Sequence, residues 1–437
     1  MKQLKKNDEA SAITRKRNKK EDLLQRTGSG QIYETVFALL KGSLFCENNG
    51  FRDECDSAIH ACIKSADLLE KVLKELRLQT VSGIPAENCM KNAVVQKRCP
   101  DLEAWTDVWG LEVARHQARF LKTAVVQQEL IHTLQNSGIA VVIIKGFAAA
   151  YYYPHPELRS FGDIDALVSP EMLNEASAVL EEAGFEPDHT HKEEYHLAFL
   201  KDGISIELHH SPSGIDEGPA GPYIRDEMRR GLQNIGWIEV QGEQIPVLPW
   251  KQNGIEFIWH IREHLYNGLG LRQILDWMMF ADKELTEKRY YGEFRDALEK
   301  MKLQRLAAVV TRMCQMYLGL REDGFSWCKD VPEETCEELM DYLIEQGNFG
   351  IKTGYSEKTV KVISGYRTPA AMLRRLQKNG SVHFPDLAKK PMVRHFLWVP
   401  EGIDMIRTIL FRRGFGNTVH DIKTGLKRDK LFRKLYD

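Results

Sequence analysis

The 437-residue chain has no apolar run that approaches the ~20 residues of a membrane-spanning helix, because Lys145 interrupts the longest candidate. Its opening, MKQLKKNDEASAITRKRNKKED, is basic but has no apolar core, which argues against a secretory signal. The eight cysteines form no CxxC pair and no short regular spacing, so there is no disulfide framework to read. They read as reduced thiols, several on helical faces, such as Cys55 and Cys62. No internal repeat, low-complexity tract, aromatic-interleaved stacking motif or familiar nucleic-acid module is present. These absences leave a cytoplasmic globular protein as the expectation.

What is present suits that class. Hydrophobic residues make up 43% and charged residues 28%, ordinary values for a folded chain with enough length for two or three cores. The net charge of −2 hides an asymmetry. Residues 351–437 hold 19 Lys and Arg against 7 Asp and Glu, a local charge of +12 that leaves −14 for the rest. A basic C-terminal region of this kind suits an anionic partner, whether nucleic acid, acidic protein or lipid; the plainer reading is a solvated helical surface.

Periodicity divides the chain into five parts. Residues 1–30 read as a mobile basic lead-in closed by Gly28-Ser29-Gly30, and 31–137 as a helical N-terminal region. There Val36, Leu39, Leu40 and Leu44 form one stripe, and Ile59, Ile63, Ala66, Leu69 and Val72 another. Pro85 and Pro100 mark 81–100 as a loop before a long helix over about 102–136. Residues 138–249 read as a small α/β portion. It has strands at 140–144 and 163–168, helices at 147–153 and 170–183, and hairpins at 195–210 and 236–248. Residues 250–350 read as a helical domain, and 351–437 as basic helical pieces broken by Pro369, Pro385, Pro391 and Pro400. The fold class expected is α+β, with a small mixed sheet flanked by helical N-terminal and C-terminal regions.

The most informative stretch is VVIIKGFAAAYYYPHPELRSFGDIDALV, residues 141–168. Side chains alternate along a strand, so Asp163 and Asp165 share one face. Two carboxylates side by side repel, and a divalent cation between them turns that repulsion into affinity. On the second strand of the 195–210 hairpin, Ile204, Ile206 and Leu208 form the apolar face, and Ser205, Glu207 and His209 form the other. If the strands are neighbours, Glu207 joins Asp163 and Asp165 in a hard-cation site suited to Mg²⁺ or Mn²⁺. The Lys145-Gly146 step lies between a strand and a short helix, where free amides and a cation can hold a phosphate.

This series of residues resembles the nucleotidyltransferase superfamily related to DNA polymerase β. Within it, the pattern is similar to the bacterial group of uncharacterised nucleotidyltransferases. The matching steps are Ile144-Lys145-Gly146, Tyr153-Pro154, Arg159, Gly162-Asp163-Ile164-Asp165, Gly184-Phe185 and Glu207-Leu208-His209. The similarity continues through LPWKQNGIEFIWHIREH and LRQILDW, over roughly residues 138–282. The chain departs from the broader pattern at Gly146-Phe147, where Gly-Gly or Gly-Ser is common, and in a long interval from Gly146 to Asp163. The resemblance implies transfer of an NMP from an NTP to an acceptor hydroxyl, with release of pyrophosphate. It assigns Asp163, Asp165 and Glu207 to metal binding and catalysis, and Lys145, Gly146, Arg159, Gly162 and His209 to the nucleotide. The acceptor is open: small molecule, sugar, protein or RNA.

Plainer readings stand beside several of these. Lys145 is also readable as a core-edge lysine, and Arg159 as a salt-bridge partner of the aspartates. His209 suits a minor ligand, a proton shuttle or a hydrogen bond to the nucleotide, while His210 reads as a core histidine. Asp276, inside the apolar LRQILDW helix, needs a partner, and reads as a brace of the catalytic domain or a contact to the second substrate. Two further functions compete: a non-catalytic nucleotide-sensing module, and a zinc hydrolase built on His260-x-x-Glu263-His264, a match to the H-x-x-E-H pattern without an obvious third ligand.

Overall fold

In the computed structural model, residues 30–188, 195–212 and 220–352 are described, together with parts of 373–436. The expected lead-in over 1–30, up to residue 29, and most of the basic tail lie outside the described residues. No helix among the described residues is long and apolar enough to cross a membrane.

Helices Gly30–Leu44, Asn49–Lys64 and Ala66–Leu78 fill the N-terminal region. Asn48 caps the second, its side-chain oxygen accepting from the Gly50 and Phe51 amides, and Ser65 caps the third through the Leu68 amide. The first expected stripe is buried throughout, with Val36 and Leu40 fully enclosed, but of the second only Ile59 and Val72 are; Ile63 and Leu69 are half-buried and Ala66, the first residue of its helix, is exposed. Burial there pushes the Cys55 and Cys62 thiols up to about 12. Residues 81–100, expected as a loop, instead contain helices Gly83–Lys91 and Ala93–Arg98. The prolines do not prevent this. Pro85 sits in a first turn, where its missing donor costs nothing, and Pro100 follows the end of the second helix. Asn92 caps that second helix through the Val94 amide.

Helix Leu102–Asn136 is capped by Asp101 and closes at Gly138, whose φ of +74° suits glycine. There the Gly138 and Ile139 amides return to the Gln135 and Leu134 carbonyls. The chain then enters the sheet, whose strands are β1 (Val141–Ile144), β2 (Ile164–Val168), β3 (Glu186–Pro187), β4 (His196–Lys201), β5 (Ile204–His209), β6 (Gly236–Val240) and β7 (Glu243–Val247). Their order is β3-β4-β5-β2-β1-β7-β6. β2–β5 and β1–β7 pair parallel and the other neighbours antiparallel, so the sheet is mixed. Both hairpins turn on two residues with positive φ, Asp202-Gly203 and Gln241-Gly242. Phe120, Leu130 and Leu134 of the long helix, and Ala176 and Leu180 of helix Leu173–Glu182, pack with Ile143, Ile164, Ile206 and Leu208 in one core. Helix Gly221–Gln233, which no expectation covered, buries Ile224 and Met228. Helices Trp250–Asn267, Leu271–Glu284, Gln304–Tyr317 and Glu333–Gln346 follow. The architecture is α+β, a mixed sheet flanked by helical regions.

The described residues fall into two compact units, one within Met1–Ile261 and Gly270–Val331, the other within Arg262–Leu269 and Pro332–Asp437. The sheet belongs to the first. In the second, helix Glu333–Gln346 holds Leu265 through a 2.6 Å bond from the Tyr342 hydroxyl to its carbonyl, and Lys434 pairs with Glu338 at 2.7 Å.

Candidate active site

The three central strands, β5, β2 and β1, bring their functional residues to one end of the sheet. The apolar VVII run forms β1, and Ile144 at its end lies opposite Asp165 of β2. β5 runs parallel to β2 in a register that sets Asp165 opposite Glu207. Lys145, Asp165 and Glu207 therefore follow one another across three neighbouring strands. Asp163 immediately precedes β2 and is half-buried. On the far side of β5, His196 of β4 lies directly opposite His209.

The side chains form one charged network. Lys145 Nζ donates to Asp165 Oδ1 at 2.8 Å and lies 3.9 Å from Glu256 Oε1. His209 Nε2 lies 3.1 Å from both Asp165 Oδ1 and Glu207 Oε2, and His196 Nδ1 lies 3.8 Å from Glu207 Oε2. Asp165 is 6% exposed and His209 is fully buried. Burial alone would favour the neutral form of each group. Against that burial, Lys145 and His209 hold Asp165 well below its ordinary value, and the His209 hydrogen bond holds Glu207 down. Asp165 and Glu207 in turn overcome burial at His209 and raise it to about 9. Asp165, Glu256 and Glu207 do the same for Lys145, keeping its ammonium above the ordinary range. Asp163 has only weaker help, from Lys145 and Arg272. Burial, then repulsion from Asp165 and Glu207, pushes it up to about 6 from 3.8.

These residues suit a divalent cation. Ligand atoms of His196, Glu207 and His209 all lie within 4.8 Å of one another, a His/Glu cluster able to coordinate a metal ion. Asp163 and Asp165 are not in that group: Asp165 is held by Lys145 and His209 instead. The raised Asp163 carboxyl is the residue a cation would relieve, and its oxygens with those of Asp165 and Glu207 are hard donors of the kind Mg²⁺ and Mn²⁺ take. A second such group among the described residues, Glu87, His155 and Glu157, is partly exposed. Neither group includes His260, Glu263 or His264.

The nucleotide-side expectations fare unevenly in geometry. Lys145 stands beside Asp165, with an uncommon backbone conformation (φ 57°, ψ −132°), and Gly146 continues it with φ +25°. A non-glycine residue held there reflects strain of the sort that clusters at functional turns. No atom lies within 4 Å of where a Cβ on Gly146 would be, so that turn opens on free space. Phe147, at the departure from the common pattern, is buried against Phe120 and Phe161 with ring centres 5.0 and 4.6 Å away. Gly162 is exposed, and its carbonyl accepts from Arg119.

Arg159 is not brought to the carboxylates. It is 3% exposed and grips Asp276 with two bonds, Nε to Oδ1 at 2.7 Å and Nη2 to Oδ2 at 2.6 Å, while the Tyr153 hydroxyl donates to the same Oδ1 at 2.8 Å. The third nitrogen of Arg159, Nη1, donates to the Ser160 carbonyl at 3.1 Å, so all three guanidinium nitrogens have partners within the protein. Asp276 is thus the brace, joining helix Leu271–Glu284 to the segment before β2. Sequence reading missed His196, Glu256 and Arg272. His196 was accessible from hairpin pairing across Asp202-Gly203. Glu256 and Arg272 arrive from later helices, and only the tertiary fold brings them near.

Residues 70–319 match the model of a family described as "Uncharacterised nucleotidyltransferase". Among solved structures, the solution structure of the antibiotic-resistance factor ANT(2'')-Ia is similar over 42% of this chain and 94% of that one, at 12% identity and a TM-score of 0.30, a likeness too low to support any argument. None of the curated proteins compared matches the chain.

Proposed function

Because the chain belongs to this uncharacterised nucleotidyltransferase family, within the DNA polymerase β-like superfamily, we propose that it transfers a nucleotidyl group from an NTP to an acceptor hydroxyl. The observation that carries the reading is the register setting Asp165 opposite Glu207 on parallel neighbours, with Lys145-Gly146 at the same sheet end. Asp163, Asp165 and Glu207 would hold Mg²⁺ or Mn²⁺. When bound, the metal would neutralise the triphosphate and lower the pKa of the acceptor hydroxyl.

The chain's own residues take the remaining roles. Lys145 now neutralises Asp165; with the carboxylates otherwise compensated, its ammonium is free to turn to a phosphate oxygen. The Gly146 amide, at the open turn, donates to the same group. The acceptor oxygen attacks the α-phosphorus and the bond to the bridging oxygen breaks, so pyrophosphate leaves with that electron pair. Glu207 takes the hydroxyl proton. His209 keeps Asp165 and Glu207 ionised and fixes their orientation.

Incubation with each α-labelled NTP and Mg²⁺ or Mn²⁺, with and without cell extract, tests the reading. Label is expected in protein, small molecule or RNA, which identifies the acceptor class, with pyrophosphate released in equal amount. Phosphate release without any labelled acceptor would point to hydrolysis and overturn it.

A further inference from the structure

Arg272, the second residue of helix Leu271–Glu284, is set differently from Arg159. Its Nε is buried without a hydrogen-bond partner. Its sole hydrogen bond among the described residues is a 3.5 Å contact from Nη1 to the Ser160 carbonyl, at the outer limit for such a bond. No carboxylate among the described residues lies within 4.0 Å of it.

The position is unfavourable to a cation in three respects. The group is desolvated; Arg159 carries a like charge nearby; and the first turn of a helix presents the positive end of its dipole. Burial first and Arg159 second hold the guanidinium below its ordinary value, against the pull of Asp276, Asp163 and Asp165. A half-buried cation whose Nε is enclosed and unbonded has charge and donors to offer an anion from outside. There is also room for one. Gly162, next to Asp163, is exposed, and a Cβ placed on it would meet only Arg272 Nη1, at 4.0 Å.

We propose that Arg272 is a phosphate-binding residue, and that its ligand is the triphosphate of the incoming nucleotide, the role that Arg159 is too occupied to fill. The identity of that ligand rests on the nucleotidyl-transfer reading; the phosphate site does not. The planar fork would grip two phosphate oxygens, and Gly162 would leave the space in which they sit. The anion would also supply the charge that Nε and Nη1 lack within the protein.

The test is calorimetric titration of two probes, a non-hydrolysable NTP with Mg²⁺ and inorganic tripolyphosphate, into the wild type, Arg272→Gln, Arg272→Lys and Gly162→Val. Ligand-free melting temperatures are measured alongside. Arg272→Gln is expected to weaken both probes about tenfold or more, the scale of a lost charge-assisted pair, while its ligand-free melting temperature stays level or rises. Arg272→Lys should recover part of the loss, because it restores the charge without the fork. Gly162→Val leaves the guanidinium intact but fills the space, and should also weaken both probes. Wild-type affinity in folded Arg272→Gln overturns the proposal, as does a lowered melting temperature with affinity intact, the mark of a structural brace. Should Arg272→Gln not fold, unchanged affinity in Gly162→Val overturns it instead. Arg272-dependent binding of tripolyphosphate without NTP binding would sink the nucleotidyl-transfer reading and leave the phosphate site standing. A wild type that binds neither probe overturns both.

Discussion

Replacing Asp163 by asparagine should stabilise the metal-free protein, and the gain should depend on pH. In the folded chain Asp163 titrates at about 6, against 3.8 for the unperturbed group, because burial and then Asp165 and Glu207 disfavour its charge. Below pH 3.8 the carboxyl is protonated in both states and costs nothing. Between 3.8 and 6 the unfolded chain has lost the proton and the folded chain keeps it, so stability falls as pH rises. Above 6 the cost is complete. Linkage puts it at about 1.5 kcal/mol at pH 5 and about 3 kcal/mol at pH 8. Asp163→Asn removes that cost, so chemical denaturation in EDTA should show the variant more stable by those amounts. Excess Mg²⁺ should reverse the order, because the wild type gains more from the ion. A variant less stable than wild type at pH 8 in EDTA, or equally stable at both pH values, would refute the like-charge account of this site.

Three further outcomes follow from the same network. Asp276→Asn leaves the buried Arg159 without its counter-ion, which should cost about 3–5 kcal/mol and lower the melting temperature by several degrees; an unchanged melting curve would mean the pair is not a brace. His209, raised to about 9, lends the metal-free protein stability that is complete below its unfolded value near 6.5 and lost as pH climbs through 9. Its proton competes with the cation, so calorimetric Mg²⁺ affinity should climb from pH 6 to 9 and then level, whereas a flat profile would place the ion away from Asp165 and Glu207. Gly146→Ala meets no neighbouring atom but forces alanine to φ +25°, and should cost about 1 kcal/mol by denaturant titration; no loss would show that the turn relaxes.

Much of this was legible because strand period and turn chemistry are local. The alternation in ISIELHH put Glu207 and His209 on one face and Ile206 and Leu208 on the other, and the Lys-Asp-Gly turn fixed the hairpin. What failed was non-local or depended on helix-end chemistry. Pro85 signals a break in the sequence, yet it occupies a first turn. Arg159 lies four residues before Asp163 in sequence, yet its guanidinium goes to Asp276, more than a hundred residues later. Proximity along the chain says where a backbone passes, while the destination of a long charged side chain is set by which buried partner needs it. Arg272 is the same lesson reversed: it is distant in sequence, and the fold carries it toward the carboxylates.

The most direct measurement is calorimetric titration of Mg²⁺ with a non-hydrolysable NTP into the wild type, Glu207→Gln and the Asp163→Asn, Asp165→Asn double variant. Metal-dependent nucleotide binding should be present in the wild type, weakened in Glu207→Gln and absent from the double variant, with all three proteins folded. Undiminished metal-dependent binding in the double variant would contradict the assignment of these carboxylates at its root.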